Sequence, residues 1–304
     1  MTARERPQRP ASVGKWLVSL PPVVYLVVFF AVPALIMVLA SFRTPGEFGG
    51  LAPLTDEAGR LDLTAESYVR FFAEPVYLQV FIKSAWYAAL TTLLCLLLAY
   101  PLASLIAKSP RRYRELLLLL VILPFWSNFL IRVYAWMIIL GPNAALARVV
   151  NSALSMFGLG SVPLLFSGFA VLTCLVYVHL PFMVLPLYAN LEKHDQALLD
   201  AAQDLGANAW HRFWRVTFPL SLPGVYAGAA LVFIPALGIF AIPDILGGPD
   251  DTLIGNLIKQ QFLETRDWPF GSVLSIVLTV AALLLAGAAA WIGRRGGAEV
   301  ASRA

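Results

Sequence analysis

Six apolar runs, each long enough to cross a bilayer, constrain this chain more than any other feature. A helix needs about 20 apolar residues to cross roughly 30 Å of hydrocarbon. Six segments reach that length: Trp16–Ser41, Leu78–Ala107, Glu115–Leu140, Phe166–Asn190, Pro223–Ile245 and Ser272–Ile292. In lipid every backbone polar group must be satisfied inside the protein, and runs of this length do so as helices. The expected fold class is an all-α membrane protein with six transmembrane helices. Among 304 residues, 59% are hydrophobic and 13% charged, against roughly 45–50% and about 25% in soluble domains. That balance excludes a water-soluble domain, a disordered chain and a disulfide scaffold. Prolines within the runs (Pro21, Pro22, Pro33, Pro101, Pro124, Pro181, Pro186, Pro235 and Pro243) predict kinked spans, because neighbouring helices can satisfy the carbonyls that proline frees.

The loops divide the charges unequally. With the N-terminus inside, 14 of the 22 Lys and Arg fall in inner segments and 6 in outer ones, while Lys83 and Arg132 lie within spans. By the positive-inside rule both termini are expected in the cytoplasm. The layout is then a basic tail at 1–15, a six-helix domain at 16–292 and a second tail at 293–304. The first run is too long for the 7–15-residue core of a signal peptide and is read as a retained helix. The net charge of +4 is a topology signal and gives no reason to expect a nucleic-acid partner.

Catalytic and metal-binding patterns are absent from the sequence. Cys95 and Cys174 lie in different spans without metal spacing and read as small apolar residues. His179 lies in the fourth run and reads as a hydrogen-bonded packing residue, and His194 and His211 match no metal motif. There is no G-x-S-x-G and no G-x-x-x-x-G-K-[ST]. The expectation is a protein that is not an enzyme and binds neither a metal nor a cofactor of its own.

The longest inner segment, 191–222, reads LEKHDQALLDAAQDLGANAWHRFWRVTFPLSL. Asp195 is a candidate N-cap for a helix whose Leu198, Leu199, Ala202 and Leu205 share a face, and Gly206 can supply the left-handed residue that ends it. A second amphipathic helix from about Asn208 carries Trp210, Phe213 and Trp214 and is expected to stop before Pro219. Ala201 and Ala202 would let another surface approach closely beside the carboxylate of Asp200, and Asp204 repeats that charge one turn later. On pattern alone this element either docks a partner or lies on the headgroups with its acids in water.

Asp200-Ala201-Ala202, three residues, Gly206, nine residues, then Val216-x-Phe218-Pro219 resembles the EAA loop of ABC-importer permeases, E-A-A-x3-G-x9-I-x-L-P. Asp replaces Glu, Val replaces Ile and Phe replaces Leu, all conservatively. The resemblance implies an ABC type I importer-like permease fold and a coupling helix at Asp200–Gly206 seated on a separate ATPase subunit. Three further segments, Leu123–Trp136, His179–Lys193 and Leu253–Gly271, resemble spermidine/putrescine-type permeases, specifically the first of two permease subunits. The partners this implies are a second permease in a heterodimer, two copies of an ATPase that bind the ATP, and an external binding protein. The implied place is the bacterial plasma (inner) membrane. The cargo implied is a small cation, with an amino-acid derivative, a phosphonate or an iron complex as alternatives. A membrane-embedded protein that does not transport is the remaining reading.

The outer segments hold 11 acids against 6 bases, a balance that concentrates cations at an entrance, although removing bases for topology has the same result. Asp244 closes the fifth apolar run, and an ionisable residue at the membrane boundary is a functional candidate. Its carboxylate is a candidate contact for a substrate ammonium, with Tyr134, Trp136 and Phe240 as cation–π partners. The competing reading makes Asp244 a cap, a solvated loop acid or half of an internal ion pair, and the aromatics packing residues. Lys83 is expected to snorkel from a span end, and Arg132 to face protein and pair with an acid or with carbonyls. A topology reporter fused at Asn208 should lie in the cytoplasm. Finding it outside would overturn the orientation.

Overall fold

The computed structural model describes residues 13–55, 60–158 and 160–303. Residues 1–12 of the predicted basic tail lie outside them. Regular structure among the described residues is helical, apart from two isolated bridges, Pro45–Leu51 and Thr55–Leu61. Helix α1 (Val13–Leu26), a π turn (Val27–Ala31) and α2 (Val32–Ser41) form the first apolar rod. The short α3 (Glu66–Ala73) precedes the long α4 (Pro75–Lys108). Next come α5 (Arg111–Ile122), a 3-10 turn (Leu123–Trp126), α6 (Phe129–Leu140) and α7 (Ala145–Met156). Helix α8 (Gly168–Leu191) leads to α9 (Gln196–Asp204) and α10 (Ala209–Arg212), and a π turn (Phe213–Thr217) opens into α11 (Phe218–Gly238). The chain closes with α12 (Ala241–Leu246), a 3-10 turn (Pro249–Asp251), α13 (Ile254–Leu263) and α14 (Trp268–Arg303).

Six stretches are long and apolar enough to cross a membrane: Ser19–Ser41, Pro75–Lys108, Phe129–Met156, Gly168–Leu191, Ala209–Gly238 and Trp268–Ala288. Helix α8 is the hub of the bundle, packed against α4 and α11. Near its Leu191 end the core is built from Cys95, Ala99, Ala103, Met183, Leu187 and Val225. Near its Gly168 end, Cys174 joins Val133, Leu140, Leu165, Ala170 and Ile242. Both cysteines are wholly buried. Close approach of α11 to α8 depends on two glycines four residues apart, the small-x-x-x-small spacing that lets membrane helices meet backbone to side chain. A Cβ on Gly228 would fall 2.6 Å from Met183 Sδ, and one on Gly224 would fall 2.8 Å from Asn190 Cβ.

The third predicted span, Glu115–Leu140, is not one helix, and it shares only Phe129–Leu140 with the membrane-length stretch Phe129–Met156. Going along α8 from its last turn to its first, Arg114 meets Glu192, Phe125 meets Phe182 and Trp136 meets Tyr177. Leu140 then joins Ala170. Residues 111–140 therefore lie antiparallel to α8 and cross beside it, while the turn at 141–144 separates α7 from the crossing. Inside the crossing the helix breaks at Leu123–Asn128. Pro124 has no N–H for the preceding turn, and its own carbonyl accepts from Ser127 N, Ser127 Oγ (2.8 Å) and Arg132 Nη1 (3.1 Å). Asn128 restarts the helix by accepting the N–H of Leu130 at 2.8 Å.

The fifth predicted span, Pro223–Ile245, begins earlier and ends sooner. It does not stop or start at Pro219: the helix that begins at Ala209 passes through the π turn into α11. Pro219 lacks an N–H for the carbonyl of Arg215, and its ring would strike that carbonyl in a regular helix. The π turn widens the backbone there, with Phe218 N–H donating to Phe213 O. The first rod repeats the device, its π turn at Val27–Ala31 lying just before Pro33. At the far end α11 stops at Gly238, where Ile239 is extended, and Asp244 lies in the separate α12. The sixth helix begins at Trp268, four residues before the predicted start, with Asp267 Oδ1 accepting the N–H of Phe270 at 3.1 Å. It continues through the predicted tail to Arg303.

Gly228→Leu should destabilise the bundle by about 1–3 kcal/mol through overpacking against Met183, read as a lower melting temperature of the detergent-purified protein. An unchanged melting temperature would mean that α8 and α11 do not touch at this depth.

Candidate functional site

Helix α9 is built by local capping at both ends. Asp195 Oδ1 accepts the N–H of Ala197 at 2.9 Å. At the other end Gly206 has φ +83°, Ala207 N–H reaches Ala202 O at 3.0 Å and Gly206 N–H reaches Gln203 O at 2.8 Å. These two bonds form a Schellman motif, whose C′ position needs a left-handed residue. Asn208 Oδ1 then caps α10 by accepting the N–H of His211 at 2.9 Å. Arg212 Nη1 donates to Gln203 Oε1 at 2.6 Å and ties the two helices of the loop together.

The loop projects from the bundle at the Leu191 end of α8. Asp200, Ala201, Asp204 and Gly206 are exposed, Ala202 is half-buried and Leu205 is 90% exposed. A cleft of about 470 Å³ lies between the helices, lined by Ala202, Leu205, Gly206, Asn208, Arg215 and Val216. Phe213 anchors the second helix, its ring set edge-on to Tyr100 of α4, whose hydroxyl lies 2.9 Å from Ser221 Oγ. Trp210 and Trp214 stay exposed and meet edge to face. Val216 and Pro219 are half-buried at the π turn that joins the loop to α11. Asp200, Ala201, Ala202, Asp204 and Gly206 thus fall on α9 and its cap, while Val216 lies in the π turn and Pro219 in the first turn of α11. Leu205, read in the sequence as part of the apolar face of α9, stands exposed at its tip.

The second candidate group is only partly assembled. Asp244 and Phe240 share the break after α11. Asn256 Nδ2 donates to Phe240 O at 3.0 Å and also to Asp244 Oδ1, and Lys259 Nζ donates to Asp244 Oδ2 at 2.6 Å. That ion pair raises the pKa of the Lys259 ammonium above its usual value, chiefly through the hydrogen bond to Asp244. Gly255 lets α13 lie against the broken backbone, since a Cβ there would sit 2.5 Å from Gly238 O. Phe240 and Tyr134 are about half exposed. Trp136 turns inward and stacks edge-on against Tyr177 in the core.

The in-span bases are held by the protein. Arg132 donates to Pro124 O and lies over the ring of Phe125 at 4.8 Å, so its partner is a carbonyl. Lys83 does not simply snorkel: it donates to the carbonyl of Asp250 and lies 3.9 Å from Asp251 Oδ1. Asp251 also accepts from Tyr87 Oη at 3.2 Å and from Gly248 N–H at 3.0 Å. His179 donates through Nδ1 to Leu175 O at 2.8 Å. Lys259 and Asn256 carried no assigned role in the sequence. Their spacing, three apart on one helix face directly after a glycine, was the available signal.

Spanning helices around a small-residue contact, a projecting capped loop at one end and an ion-paired break at the other define a polytopic helical membrane protein. The family described as "Binding-protein-dependent transport system inner membrane component" matches residues 99–295. The chain belongs to that family, the permease subunits of ABC importers, which are not enzymes. It is 43% identical over 86% of its length to the spermidine/putrescine transport system permease protein PotB of Haemophilus influenzae, covering 87% of that protein. It is also 43% identical to the PotB protein of Escherichia coli K12, over 84% of this chain and 89% of that one. Among solved structures, a bacterial ABC transporter involved in import of the acidic polysaccharide alginate superimposes with a TM-score of 0.71 at 20% identity, over 92% of this chain and 94% of that one. That likeness shows the type I importer permease fold.

Gly206→Ala places a side chain at φ +83° and should destabilise the end of α9 by about 1–2 kcal/mol. Amide exchange over Gln196–Ala207 should then run roughly 5–30-fold faster with the global melting temperature unchanged. Exchange equal to that of the unaltered protein would rule out the left-handed cap.

Proposed function

We propose that this chain is a permease subunit of an ABC importer that carries polyamines from an external binding protein into the cytoplasm. The observation that carries this reading is the 43% identity to spermidine/putrescine permeases over 86% of the chain. The charge asymmetry supports cytoplasmic termini, with α9 on the cytoplasmic side and Asp244 on the outer side.

On this orientation α9 is the coupling helix. Asp200 and Asp204 face a cationic rim, Ala201 and Ala202 admit close approach, and Leu205 enters an apolar seat on an ATPase partner. ATP is bound by two copies of that partner, and this chain holds no cofactor of its own. A second, different permease completes the transmembrane pair. The acidic outer segments draw a cation toward the entrance. Asp244 contacts a substrate ammonium, with Phe240 and Tyr134 offering aromatic faces. The inward packing of Trp136 on Tyr177 gives it a supporting role behind that surface.

Proteoliposomes holding the whole transporter and its binding protein test the reading. Labelled spermidine or putrescine should enter only with ATP, and an excess of either should compete while an amino acid, a phosphonate or an iron complex should not. Asp200→Lys should abolish uptake while substrate capture by the binding protein stays intact. Failure to import either polyamine decides for another cargo, and full uptake by Asp200→Lys removes α9 from the coupling role.

A further inference from the structure

Lys259 occupies the position that a substrate ammonium must reach if Asp244 contacts the polyamine. Its side chain ends in a primary ammonium, the group that also ends putrescine and spermidine. The two oxygens of Asp244 are held differently. Oδ1 is held by Asn256, whose amide is pinned at three points: it donates to Phe240 O and to Asp244, and its own Oδ1 accepts the N–H of Leu253 at 3.2 Å. Oδ2 is held by Lys259 alone among the described residues, at 2.6 Å, at the end of a flexible stem with about one-third of the side chain exposed. One oxygen is clamped and the other is held by an exchangeable cation.

We propose that Lys259 is a tethered surrogate for the substrate. Its ammonium fills Asp244 Oδ2 while the path is empty, and an incoming polyamine ammonium exchanges with it, releasing the Lys259 side chain and opening this side of the path. The proposal rests on the polyamine reading and adds a gate to it. Exchange replaces one N–H···O contact with another, so the carboxylate is never left bare at the membrane boundary, where an uncompensated charge is costly. Glu264, whose charge also acts on Lys259, offers the released ammonium a second carboxylate. A neutral or anionic solute has nothing with which to displace the lysine, so the pair rejects it. The same contact therefore closes the path and selects for charge.

The test is equilibrium binding of labelled spermidine to the complete transporter in nanodiscs, without the binding protein. Lys259→Gln removes the internal competitor and should bind spermidine about fivefold more tightly, the scale of a partly exposed ion pair. Lys259→Arg keeps a competitor and should bind like the unaltered protein, and Asp244→Asn should not bind. In Lys259→Cys, aminoethyl methanethiosulfonate restores an ammonium and should bring the affinity back down, whereas methyl methanethiosulfonate should leave it tight. Cys95 and Cys174 are buried, away from the reagent. If Lys259→Gln and Lys259→Cys both bind no more tightly than the unaltered protein while Asp244→Asn loses binding, the gate is overturned and the polyamine reading stands. If no variant binds and the unaltered transporter imports no polyamine, the reading beneath it has failed.

Discussion

A backbone carbonyl without a donor costs several kcal/mol in hydrocarbon, and the backbone of this bundle is organised around the places where a proline or a helix break creates one. Three solutions appear. Ahead of Pro33 and Pro219 the helix widens into a π turn and continues. At Pro124 the helix breaks, and the carbonyl of Pro124 itself, left without a helical donor by the break, is taken by the Ser127 N–H and hydroxyl and by Arg132 from the next helix. After Gly238 the break is covered by another helix, with Gly255 admitting the backbone contact and Asn256 donating to Phe240 O. The first solution keeps a rod, the second bends a crossing, and the third ends one and leaves Asp244 at the opening.

Charge placement follows from those breaks. Arg132 is affordable within a span because a freed carbonyl and an aromatic face supply what a carboxylate otherwise would. Lys83 reaches the 3-10 turn at Pro249–Asp251, where Asp251 is also fixed by Tyr87 and by the N–H of Gly248. Lys259 reaches Asp244 across the break after α11. Each base named here is thus joined to a point where regular helix stops, so the charged contacts hold together the parts of the backbone that hydrogen bonding within a helix leaves open.

The spans were legible because their signal is length and composition, and the α9 loop was legible because its caps are local. Asp195, Gly206 and Asn208 each act within three residues of their own position. The breaks were harder to read. Pro101, Pro181 and Pro186 remain inside helices, whereas Pro124 interrupts one. What distinguishes Pro124 is a donor eight residues away, Arg132, which nothing in the local pattern announces. For Asp244 the sequence left a substrate contact, a cap, a solvated acid and an internal ion pair open for the same reason: Lys259 lies 15 residues on and in a different helix. Trp136 and Tyr134 are two residues apart and looked equivalent, but only packing against Tyr177 decides which one turns inward.

The helix that begins at Ala209 and ends at Gly238 joins the two candidate sites. It has 30 residues and at 1.5 Å per residue spans about 45 Å. One end is the π turn beside α9, and the other adjoins the break that carries Phe240 and Asp244. Between them Gly224 and Gly228 seat it directly on Asn190 and Met183 of α8, with no side chain of its own at those two positions. Such close packing resists sideways displacement, because the contact leaves no free space to move into. A push on α9 is therefore carried along the rod, and the points able to absorb it are the irregular ones, the π turn and the break after Gly238. On the transport reading, that arrangement links an ATP-driven movement at one membrane face to the hold of Lys259 on Asp244 at the other.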